Sequence, residues 1–254
     1  MVMRKFGIAV LLSLATIASA SDSGILSYRA QRSLDAGKFA KSYGQLERAL
    51  LASRKESNLR AEARVLMAMA QIRTMSLDFA LADSLIAQVR ENVLDRNTTL
   101  KFLQGKAALA NAQEKYDEAI KVCNAADMDK VKKCDKPRQA AFFSECAIAQ
   151  AASRRSDDAE ESLKMVGKRA DKDGGFYIYT AARIADLTGK GEADSLYKEA
   201  ERKSIQGNIP YMTATILYQR SLLKSTKDAD DLRLRCKNAF ELMALPNNAK
   251  RCGE

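Results

Sequence analysis

Six segments along the chain share one pattern, a polar or turn-forming opening followed by apolar residues at helical spacing. They read GKFAKSYGQLERAL from 37, LDFALADSLIAQV from 77, EKYDEAIKVCNAA from 114, RSDDAEESLKMV from 155, GKGEADSLYKEA from 189 and TKDADDLRLRC from 226. Aligned on Ser42, Ala82, Ala119, Ala159, Ala193 and Ala229, they recur at intervals of 40, 37, 40, 34 and 36 residues. Four residues on stand Leu46, Ile86, Cys123, Leu163, Tyr197 and Arg233, and seven on stand Ala49, Val89, Ala126, Val166, Ala200 and Cys236. Positions 0, 4 and 7 fall on one face of a helix.

A second helix is written upstream of each segment. Twelve residues before the reference position come Ala30, Ala70, Ala107, Ala147, Ala181 and Leu217, small in five of six. Seventeen before it come Ile25, Val65, Phe102, Phe142, Phe176 and Met212, apolar without exception. Small residues let two backbones approach, and large ones fill the groove beside them. A period in this range is the mark of stacked helical hairpins. The expected fold is therefore all-α, an α-solenoid (superhelix) of about six antiparallel helix pairs over 22–245, with a short tail at 246–254. Pro137 and Pro210 suit first turns of helices, Gly174-Gly175, Gly189 and Gly191 mark turns, and Pro246-Asn247-Asn248 is read as ending the last helix.

The paired columns resemble the tetratricopeptide repeat, as does the aromatic before the second helix's small residue at Phe39, Phe79 and Tyr116. The repeats are degenerate: tryptophan is absent and no proline closes each pair. The resemblance implies a concave face lined by the first helix of each pair. On that face it places Arg64 and Gln71, then Lys101, Gln104 and Asn111, and finally Tyr211 and Tyr218. Arg64 and Lys101 can pair with a carboxylate on an extended peptide, the amides can bond its backbone, and the tyrosines can stack on apolar side chains.

The N-terminus has a different character. Arg4 and Lys5 precede a short apolar run from Phe6 to Ile17, and Ala18-Ser19-Ala20 offers a small-residue cleavage site. This reads as a cleaved signal peptide at 1–20, with a periplasmic destination or, alternatively, secretion. No later run is long enough to span a membrane. Removing Arg4 and Lys5 lowers the formal charge from +10 to +8. A denser basic run at Lys130, Lys132, Lys133, Lys136 and Arg138 reads as a solvated loop. Export and the lack of a recognition motif argue against a nucleic-acid partner.

Export also decides how the five cysteines are read. Cys236 lies in a core column and Cys252 on the tail, so a bridge between them would fold the tail over the end of the solenoid. Cys123 can pair with Cys146 or with Cys134, and the spacing does not choose. The long intervals among these three make a metal site a poor reading.

Catalytic chemistry finds little support. Histidine is absent, which removes every imidazole-dependent nucleophilic or metal site. Acidic pairs at Asp157-Asp158, Glu160-Glu161 and Asp230-Asp231 open helices, where they meet the positive end of the dipole. The expectation is a non-enzymatic protein with no cofactor and no metal, a scaffold or adaptor binding a protein or peptide in envelope assembly or secretion. The alternative is a binder of an anionic glycan or envelope polymer.

Overall fold

The structure is a computed structural model and describes residues 21–224 and 226–253; the signal segment at 1–20 lies outside the described residues. These residues contain fourteen α-helices and no strand. Six antiparallel pairs follow one another: α1 (Asp22–Asp35) with α2 (Phe39–Lys55), α3 (Leu59–Met75) with α4 (Phe79–Ala87), and α5 (Arg96–Ala112) with α6 (Tyr116–Asn124). After the short α7 (Met128–Val131) come α8 (Lys136–Ala152) with α9 (Ser156–Gly167), α10 (Gly175–Thr188) with α11 (Ala193–Gln206), and α12 (Pro210–Ser221) with α13 (Ala229–Leu242). Consecutive pairs stack through contacts such as α3 on α5, α5 on α8 and α8 on α10, which makes an α-solenoid. Among the described residues, no helix is long and apolar enough to cross a membrane.

The turn inside each of the first four pairs repeats a single device. Lys38 N–H donates to Ser33 O and Gly37 N–H to Leu34 O; Asp78 and Leu77 do the same to Arg73 and Thr74, Lys115 and Glu114 to Ala110 and Asn111, and Arg155 and Arg154 to Gln150 and Ala151. This pair of hydrogen bonds ends a helix with one residue in the left-handed region. Gly37 fills that position at φ 71°, but Leu77, Glu114 and Arg154 fill it at φ 58°, 60° and 60°. An L-residue there costs about 1–2 kcal/mol, so packing of the two helices holds these turns.

That packing follows the sequence columns. Ala49, Val89, Ala126, Val166, Ala200 and Cys236 are buried in all six pairs. Ser42, Ala82, Ala119 and Ala159 are buried against Ala30, Ala70, Ala107 and Ala147, and Ser42 Oγ donates to Ala30 O at 2.8 Å. In the fifth pair the register slips by one: Ala182 is buried in place of Ala181. The 34-residue interval ending at that pair is the shortest of the five.

Two disulfides pin the second half. Cys123 bridges Cys146 between α6 and α8, and Cys134 is a free buried thiol. Cys236 on α13 bridges Cys252 on α14 (Pro246–Cys252). Pro246 thus begins a helix rather than ending one, because its fixed φ suits a first turn and its missing N–H is not needed there.

The solenoid does not end openly. One apolar core unites Ala30, Phe39, Leu66 and Met69 near the start with Leu217, Cys236, Phe240 and Met243 near the end. Tyr211 packs between Phe39 and Phe240, at ring-centroid distances of 5.5 and 5.8 Å. A Cβ on Gly37 would stand 3.0 Å from Pro210 Cγ and 3.3 Å from Met243 Cγ. Met75 O accepts from Tyr211 Oη at 3.1 Å and from Asn248 Nδ2 at 3.0 Å. The last pair and α14 close onto the first three.

Candidate functional site

The first helices of pairs two, three and four bring a row of cations together. Their starts are fixed by caps: Asn58 Oδ1 accepts from Ala61 N–H at 3.0 Å, and Asp95 Oδ1 from Thr98 N–H at 2.9 Å. Asp135 precedes α8, and its own N–H donates to Asn97 Oδ1 at 3.0 Å. Pro137 follows in the first turn. These caps place Arg64 on α3, Lys101 on α5 and Arg138 on α8, at intervals of 37 residues in each case.

The three cations are not equally satisfied. Arg64 pairs with Asp95 at 2.8 Å, and Arg138 with Asp135 at 3.3 Å. Lys101 has no carboxylate partner among the described residues. Burial, with Arg138 and Arg64 nearby, brings its ammonium down to about 8. Three positive groups and two carboxylates leave one charge over, on a half-buried lysine. An arriving anion would restore what burial removed.

Deeper along α5, the expected backbone-binding amides have another task. Asn111 Nδ2 donates to Glu145 Oε2 and to Glu145 O, each at 3.0 Å. Gln104 lies beside the Glu145 carboxyl, and burial pushes that carboxyl's pKa up. Gln71 is half-buried on α3. The tyrosines at the far end are engaged as well. Tyr211 lies in the closing core, where burial raises its phenol. Tyr218 Oη accepts from Arg251 Nε at 2.8 Å, and the guanidinium carbon stands 4.7 Å from its ring centroid. The structure therefore unites Arg64 and Lys101, sets Gln104 and Asn111 around Glu145, and covers Tyr211 and Tyr218 with the C-terminal segment.

Arg138 and Glu145 were not singled out by the sequence. Arg138 was hidden at the end of a basic run that reads as loop, although its 37-residue spacing from Lys101 was a usable signal. Glu145 sits within the apolar stretch FFSECAIA and carried no signal. A further polar group holds pairs five and six: Arg183 donates to Asp186 at 2.9 Å, to Gln219 at 2.6 Å and to Tyr197 Oη at 3.3 Å. No cluster of three or more Cys, Asp or Glu arranged to hold a metal occurs among the described residues.

No protein-family model matches the chain, and no curated protein is significantly similar to it.

Proposed function

We propose that the protein is an exported, non-catalytic adaptor that binds an acidic segment of another protein on the face lined by α3, α5 and α8. A periplasmic, tetratricopeptide-like scaffold in envelope assembly or secretion is the setting that the leader and the repeat columns support. The observation that carries the reading is Lys101: a half-buried ammonium without a counter-ion, between Arg64 and Arg138. A group so placed costs stability unless a ligand meets it, and a carboxylate is the complementary ligand. Arg64 and Arg138 would steer and orient it, while Lys101 supplies the unmet charge.

Calorimetric titration with a pentaglutamate peptide tests this. Lys101→Met should weaken binding by about tenfold or more, the equivalent of ~1.4 kcal/mol. Binding should also take up protons near pH 8, as Lys101 regains its charge. Absence of binding by the wild type, or equal binding by Lys101→Met, overturns the proposal. The same surplus of charge favours an anionic glycan as second reading; a polyuronate that binds more tightly than pentaglutamate, with a steeper salt dependence, would select it.

A further inference from the structure

The C-terminal segment 243–252 crosses the helix-pair turns of the first three repeats in order. Met243 lies against Gly37 in the first turn. Asn248 Nδ2 donates to Met75 O at 3.0 Å, and Asn247 Nδ2 to Ser76 O at 3.2 Å, at the second. Arg251 reaches Glu114 in the third at 3.7 Å and also covers Tyr218. Side-chain amides on backbone carbonyls, a guanidinium on an aromatic ring and an exposed ion pair are the contacts a peptide ligand makes with a receptor.

We propose that this turn edge is a recognition surface for a short helical segment bearing paired amides and a following basic residue, and that 243–252 is its internal occupant, displaced when a partner supplies the same chemistry. Several observations favour exchange over permanent closure. Asn248 is 6% exposed, yet its Oδ1 has no hydrogen-bond partner, so the docked segment carries a buried, unsatisfied acceptor whose cost is relieved when the segment leaves the surface. The helix α14 has seven residues, too few to persist unless docked. Its far end is tied to α13 through Cys252 and Cys236, which keeps it at high effective concentration. The proposal is independent of the acidic-segment reading, since it uses neither Lys101 nor its neighbours.

The test uses the full chain and a synthetic peptide of residues 243–252 with Cys252→Ser, labelled for fluorescence anisotropy. Two full-length variants loosen the internal occupant: the double Cys236→Ser/Cys252→Ser, and the triple Asn247→Ala/Asn248→Ala/Arg251→Ala, which keeps the bridge. Both should bind the peptide at least about tenfold more tightly than the wild type, whose own segment competes. Hydrogen exchange of wild-type amides 249–253 should proceed through a local opening, faster than the α5 and α8 amides. Exchange of 249–253 only with global unfolding overturns the proposal. So does failure of the peptide to bind whichever variants retain the helical signal of the wild type; if neither retains it, the segment is structural and the proposal falls.

Discussion

Two groups of cations in this molecule invite comparison. On pairs five and six, Arg220 meets Glu201 and, at 3.2 Å, Asp194, while Arg235 meets Glu201 at 2.6 Å. The side chains of Arg220 and Glu201 are each 10% exposed; with Lys198 on Asp194 at 2.6 Å and Asp231 beside Arg235 at 3.7 Å, three cations face three carboxylates. On pairs two to four, Arg64 and Arg138 meet Asp95 and Asp135, and Lys101 is left without a carboxylate among the described residues. The first group ties α11, α12 and α13 together. The second spends a charge that folding does not need. A balanced, buried ionic group reads as structure; an unbalanced, half-buried one reads as a place for a ligand.

The sharpest way to break this comparison is to disturb the balanced group. Glu201→Gln leaves Arg220 without its closest carboxylate in a buried site, and should cost ~3–5 kcal/mol in urea unfolding. A loss below ~1 kcal/mol, the range of exposed pairs, would remove the contrast. Next in size is the bridge that anchors the closing segment. Cys252→Ser should lower unfolding free energy by ~3 kcal/mol, on the chain-entropy scale for a loop of this length; the cysteines are 16 residues apart.

Two glycines separate closure from local strain. Both Gly37 and Gly189 are left-handed, at φ 71° and 65°, but only Gly37 has neighbours that a new Cβ would crowd. Alanine at Gly189 should cost the conformational term alone, ~1–2 kcal/mol, whereas alanine at Gly37 should cost ~1–3 kcal/mol more from overpacking. Equal melting temperatures would mean that the ends do not press together there.

The smallest effect sharpens the unbalanced group. The folded state lowers the Lys101 pKa from 10.5 to about 8, so the unfolded chain holds its proton more tightly. Between those values the unfolded state binds more protons, and stability rises with pH. Below pH 8 the penalty is present in full; above the unfolded value it vanishes. Lys101→Met should therefore show a flatter stability profile from pH 8 to 10.5 and no loss of stability at pH 7. A wild-type profile that falls in this window, relative to Lys101→Met, would contradict the unpaired lysine.

Much of the fold was legible because burial recurs at fixed positions. The column from Ala49 to Cys236 is buried six times, since a seven-residue step returns to the same helix face. The slip at Ala182 shows where the repeat itself loses register, at the shortened interval before the fifth pair. Two of the three cations in the row could be read in the same way. Arg64 and Lys101 came from their place in the repeat, but Arg138 was masked by neighbouring lysines. Glu145 and the covering of Tyr211 and Tyr218 were illegible for a different reason. Glu145 meets Asn111, 34 residues away, from within an apolar stretch, while the covering depends on pairs such as Asn247 with Ser76, 171 residues apart, about which a helical period carries no information.

That closure also sets how the chain must fold. An open stack of repeats can nucleate anywhere and grow from neighbour to neighbour, but Phe39, Tyr211 and Phe240 meet only when both ends are present. The last step then waits on a loop of more than half the chain, so folding is slower than the local contacts alone allow. It also fixes the repeat number, since an added or deleted pair would leave Tyr211 without Phe39 to close upon.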